Sequence, residues 1–174
     1  MKYKFSNIVG VVILFTGFIL TYFAIHLFGL TFIPLSTSLS IYFFGGIVGF
    51  LLFRKKFSGI YKSKTLNFVT SIICLVGSCG GIVNFIFLAL NFYLADKEPV
   101  KENFIIIKPG SLPKGGKGHC NQPYIIIERS GLEKQLIFKC NLSNKISSIK
   151  SVDLTLNKGK LGYYIIRDTP LMIE

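Results

Sequence analysis

The chain has 174 residues, 51% of them hydrophobic, with a formal net charge of +12 and no tryptophan. Two stretches, 5–53 and 65–95, run for 49 and 31 residues without one Lys, Arg, Asp or Glu, which excludes an ordinary water-soluble fold for the first half. Residues 1–96 hold seven basic and one acidic residue and residues 97–174 thirteen and seven. We read that basicity as attraction to anionic lipid, about 1 kcal/mol for each juxtamembrane Lys or Arg, with no nucleic-acid partner.

A membrane-crossing helix needs about 20 apolar residues, since it rises about 1.5 Å per residue through about 30 Å of hydrocarbon. The first charge-free stretch is long enough for two, and Pro34 breaks it, because proline disfavours helix in the residue before it and lacks a donor. The Ser36-Thr37-Ser38 cluster offers N-caps. The spacing therefore predicts helices over about 6–29 and about 38–54. The second stretch predicts a third over about 66–94, long enough to tilt or to project beyond the bilayer.

Lys2 and Lys4 precede the first helix, and Arg54, Lys55, Lys56, Lys62 and Lys64 fill the loop between the second and third. The loop around Pro34 carries no charge. The positive-inside rule puts the N-terminus and the basic loop in the cytoplasm, against lipid headgroups, and everything after the third helix outside. The expected location is the cell membrane, multi-pass. Tyr3 and Tyr61 fall at the inner boundary, and Tyr42 and Tyr93 at the outer one. A cleaved signal peptide is the competing reading of the first segment, but Tyr22 sits where a small residue is wanted before a cut after Ala24.

Within the spans, Gly45 and Gly49, and Gly77 and Gly81, form G-x-x-x-G pairs that let helix backbones approach closely. They suit packing within the chain, self-association, or docking on a protein partner. Asn84 and Asn91 lie seven apart on one stripe of the third helix, and His26 lies near the outer end of the first. Interhelical hydrogen bonds account for the asparagines. The alternative is a transport or channel subunit whose polar path runs through His26, Asn84 and Asn91. Cys74 and Cys79, five apart and about 140° around the axis, read as small packing residues.

After residue 97 the period changes. Runs at 104–108, 124–129, 136–140, 152–156 and 161–166 are β-branched and aromatic. They are separated by turn signals at Pro109-Gly110, Ser130-Gly131, Ser143-Asn144 and Asn157-Lys158-Gly159. Such spacing predicts about five antiparallel strands in a small all-β barrel or sandwich. The fold class is therefore a three-helix membrane segment over 1–95 with an extracytoplasmic β domain over 97–174. A core this small is marginal alone. A Cys120–Cys140 disulfide, stable outside the cytoplasm, closes a loop of about 20 residues worth roughly 3 kcal/mol in the chain-entropy model.

The motifs that suggest chemistry fail on spacing. Lys114-Gly115-Gly116-Lys117-Gly118-His119 resembles a phosphate loop only superficially: Ser111 stands where the first glycine belongs and Gly118 where Ser or Thr belongs. Its Lys114, Lys117 and His119 suit contact with an anionic partner. His119, Cys120 and Cys140 fall short of the four paired ligands of structural zinc, so no metal or cofactor is expected. Asn141-Leu142-Ser143 matches a glycosylation acceptor. The carboxylates are scattered among lysines and no nucleophile elbow occurs. An enzyme using Cys120 and His119 needs a free thiolate, which a disulfide removes. The expectation is a non-enzymatic membrane protein, an accessory, assembly or immunity-type subunit, whose basic outer domain binds an envelope component or partner protein.

Overall fold

The structure, a computed structural model, describes residues 5–57, 63–113, 121–142, 146 and 149–168. The chain forms two compact units. A helical unit runs to Ala95 and also takes in Gly159–Tyr163, and a β unit runs from Asp96 to Lys158 and resumes at Tyr164.

Three helices make up the first unit: α1 Phe5–Gly29, α2 Leu35–Phe57 and α3 Lys64–Tyr93. Each contains a span long and apolar enough to cross a membrane: Val11–Gly29, Leu35–Arg54 and Phe68–Tyr93. Of these windows 39% is buried in α3, against 17% and 22% in α1 and α2, so α3 is the central helix. The outward faces carry large apolar side chains such as Phe15, Ile25, Phe44, Leu52 and Ile73, the pattern of a bundle solvated by hydrocarbon.

Helix α2 begins three residues earlier than the Ser/Thr caps suggest. Pro34 itself starts it: its carbonyl accepts from the backbone N–H groups of Thr37 and Ser38, and a fixed φ at a helix start costs nothing. The preceding turn is sealed by the Thr31 hydroxyl, which donates to the Leu27 carbonyl at 2.8 Å. Thr31, Phe32 and Ile33 are all buried.

Contact with α3 is made through small residues. Gly17 of α1 lies against Ser78, and Gly81 of α3 lies against Thr21 and the Gly17 carbonyl. On the other face Gly45 meets Val83, Gly46 meets Val76, Gly49 meets Cys79, and Gly80 faces the Tyr42 carbonyl. Gly77 has more room, with the Phe18 ring 3.7 Å from where a Cβ would stand. Tyr42 Oη donates to the Gly77 carbonyl at 2.9 Å, and Ser78 Oγ donates to the Cys74 carbonyl at 2.7 Å.

The second unit is one antiparallel sheet in the order β3-β2-β1-β4-β5. Its strands are β1 Val100–Leu112, β2 Gln122–Arg129, β3 Leu132–Ile137, β4 Ser151–Lys158 and β5 Tyr164–Asp168. The sheet curls into a half-barrel, which is neither of the closed alternatives expected from the strand spacing. Two elements sit away from their expected places. Pro109-Gly110 lies within β1, which continues past a bulge between Ile106 and Lys108. The last strand starts at Tyr164, because residues 159–163 form the turn before it.

Alternation sorts the sheet's two faces. Phe104, Ile125, Ile127, Leu136, Val152, Leu154 and Leu156 fill the concave side. Ser130 and Gly131 both take positive φ, 52° and 79°, as a two-residue hairpin turn that matches strand twist requires.

The curl is visible in one contact. Arg129 of β2 and Tyr164 of β5 are three strands apart, about 14 Å in a flat sheet. Yet the Arg129 guanidinium lies 3.5 Å from the Tyr164 ring centroid. The same guanidinium pairs with Glu102 of β1 at 3.0 Å.

Lys134 of β3 shares the buried side of its strand and is only 9% exposed. Burial pushes its ammonium down to about 8, whereas an unfolded lysine titrates at about 10.4. Between those values the unfolded chain holds the proton that the folded one has released, so stability rises with pH through that window. The β unit is therefore expected to gain thermal stability between pH 7.5 and 9.5. Lys134→Met should remove that dependence and stabilise the unit at pH 7.5, by on the order of 3 kcal/mol at most. Thermal melts of the two proteins in detergent at both pH values check this.

Candidate functional site

In the helical unit polar side chains are few, and the two asparagines in the second half of α3 make hydrogen bonds to other elements. Asn91, on the last turn of α3, is fully buried. Its Nδ2 donates to the Tyr163 carbonyl at 3.0 Å, and its Oδ1 accepts from the Leu161 backbone N–H at 3.0 Å. Its own carbonyl accepts from the Lys160 N–H at 3.3 Å. Gly159 packs so closely on the Asn91 amide that a Cβ there would strike it. The Tyr163 ring stands edge-on to Phe87, 6.0 Å between centroids. One asparagine thus builds the β4–β5 turn into the helical unit, and the chain passes between the units three times.

Asn84 lies seven residues earlier and does something different. Its Oδ1 accepts from Ser38 Oγ at 3.1 Å, joining α3 to the start of α2. It also lines a groove of about 220 Å³ between α1 and α2. His26 is exposed on the last turn of α1. The three residues considered for a polar path are therefore not gathered: Asn84 serves α2, Asn91 serves the 159–163 turn, and His26 faces outward.

In the β unit the register separates the isoleucine triplets. Ile106 and Ile127 pair across β1 and β2 on the concave side. Ile105 and Ile126 then point to the convex side, where Tyr124 pairs with Ile137 of β3. Ile105 is 79% exposed and Ile137 54%, with Ile107 at the bulge 51% exposed. Lys108 stands beside them, opposite Ile126. Exposed apolar side chains are ordinary when scattered and informative when they adjoin. These lie on three neighbouring strands outside the membrane-crossing helices, Ile137 beside Tyr124 and Ile105 beside Ser151 of β4, with Lys108, Ile126 and Gln135 between them. The sequence signal for them is the unbroken Ile-Ile-Ile triplets, which a half-buried strand with one polar face has no use for.

Of the other residues singled out from the sequence, Lys62, Lys114, Lys117, His119 and Cys120 lie outside the described residues. Arg54 is exposed near the end of α2, Lys55 and Lys56 follow it on the same helix, and Lys64 opens α3. Cys74 and Cys79 are free thiols in α3. Cys140 opens a short 3₁₀ turn, Cys140–Leu142. Among the described residues no two cysteines form a disulfide. Comparison with protein-family models, curated proteins and solved structures finds no match for this chain.

The Asn91 geometry carries a direct consequence. Asn91→Leu removes two side-chain bonds; the Tyr163 carbonyl keeps the Gly159 N–H, while the Leu161 N–H loses its acceptor, a loss of at most about 1–3 kcal/mol for a group left unpaired. Lys160 sits in the held turn. Limited trypsin treatment of the detergent-solubilised protein should cut at Lys160 slowly in the wild type and at least several-fold faster in Asn91→Leu.

Proposed function

We propose that this chain is a non-enzymatic, multi-pass membrane protein that presents its β unit outside the cytoplasm to bind a partner protein. The observation that carries the reading is the convex face of the sheet, where Ile105, Ile126, Tyr124 and Ile137 lie on three neighbouring strands with Lys108 among them and Ile105 and Ile137 exposed. The concave side is filled by its own core, so binding falls to the convex face. Apolar side chains ringed by polar ones are the usual composition of a protein–protein contact.

The orientation rests on charge. Lys2, Lys4 and the cluster from Arg54 to Lys64 flank one end of the spans, and the connection at 30–34 has no charge. The basic end therefore faces the cytoplasm and its anionic lipids. The β unit follows α3 on the opposite side. In that compartment Cys120 and Cys140 pair as a disulfide. Lys114, Lys117 and His119, next to Cys120 in sequence, supply positive charge for an acidic partner surface.

A photoreactive amino acid placed at Ile105 or Ile137 of the full chain, in cells that express it naturally, is expected to give discrete cross-linked protein bands after illumination. The same group at Lys160, in the 159–163 turn and off the sheet's convex face, should give none. Absence of any adduct at both isoleucine positions, in protein shown to be folded and membrane-inserted, would sink the reading.

A further inference from the structure

The groove between α1 and α2 holds a polar group that the helix packing leaves unused. Its walls are Ile25 and Phe28 from α1 and Leu39 and Phe43 from α2, and its floor is Asn84 of α3 beside Ser38. Asn84 is 8% exposed. Its Oδ1 is taken by the Ser38 hydroxyl. Its Nδ2 has no hydrogen-bond partner among the described residues and meets the open groove. A primary amide with two N–H donors and no acceptor, walled by hydrocarbon side chains, is costly in a membrane, where no water replaces the missing bond.

The occupant must therefore bring an acceptor to this depth. Ser38 lies three residues into α2, about 4.5 Å from its first residue. The Leu35–Arg54 span of 20 residues just crosses the hydrocarbon, so Asn84 sits close beneath its boundary, where the acyl ester carbonyls of lipids begin. The size of the groove selects among acceptors. At about 220 Å³ it exceeds the roughly 150 Å³ that holds a benzene ring. It has room for part of an acyl chain, and its single open polar group suits one acceptor.

We infer that this groove is a binding site for one ester-linked membrane lipid, whose acyl chain lies between Ile25, Phe28, Leu39 and Phe43 and whose ester carbonyl accepts from Asn84 Nδ2. The site is independent of the convex face of the β unit. A lipid held there fills the gap that α1 and α2, each packed on α3, leave between them.

Native mass spectrometry of the full-length protein in detergent tests this, with dioleoylphosphatidylglycerol and its ether-linked analogue as probes. The ether lipid keeps the chains and headgroup and lacks the carbonyls. The wild type is expected to take up one ester lipid per chain saturably, and to bind the ether lipid about fivefold more weakly, the worth of one hydrogen bond. Asn84→Leu should bind both lipids alike, at the weaker level. Ser38→Ala, which keeps the Nδ2 donor, should retain the preference. Leu39→Trp, which fills the groove without touching the amide, should lose the adduct. Equal binding of ester and ether lipid by the wild type overturns the inference. So does an unchanged preference in Asn84→Leu, or a dimer of the chain that lipid does not displace.

Discussion

The close approach of α1 and α2 to α3 is the constraint on which the helical unit depends. Inside hydrocarbon no hydrophobic force drives helices together, so association rests on dispersion contact and hydrogen bonds at short range. Side chains at Gly17, Gly49, Gly80 or Gly81 would collide with the facing helix. Their absence lets Ser78, Tyr42 and Ser38 reach their partners across the gaps. With its small residues consumed on two faces, α3 becomes the hub, and α1 and α2 expose the large apolar side chains that a bilayer solvates.

The two asparagines of α3 show how position along one helix decides a polar group's work. Both lie on the same stripe. Asn84 reaches α2 and a groove, while Asn91, on the last turn of the helix, has the backbone of a β-turn to satisfy. Every donor and acceptor on the Asn91 amide side that faces the turn finds a backbone partner. In the β unit, Arg129 plays the equivalent part: one guanidinium bonds to Glu102 and stacks on Tyr164, joining strands that a flat sheet would hold apart.

Much of the fold was legible in the sequence, for physical reasons that differ along the chain. Absence of charge over 5–53 and 65–95 admits few structures other than membrane helices, and their bounds follow within a few residues. Ser130-Gly131 marked its hairpin because few sequences tolerate two consecutive positive φ values. Pro109-Gly110 misled, since proline and glycine are also tolerated in a strand near a bulge. Gly17 escaped notice because no glycine stands four residues from it in α1, and its purpose lies on another helix. The link from Asn91 to residues 159–163 joins positions about 70 apart, and no local pattern records it. The convex face was present as isoleucine triplets, but only the register divides core from surface.

The account rests on one end of the helices facing the cytoplasm and the β unit lying on the other side. Thiol labelling in intact cells tests that most directly, using a Cys74→Ala, Cys79→Ala background and a membrane-impermeant reagent before and after an impermeant reductant. We predict labelling of Cys120 and Cys140 that appears only after reduction. Labelling by a permeant reagent alone, without reductant, would place the β unit in the cytoplasm and contradict the account.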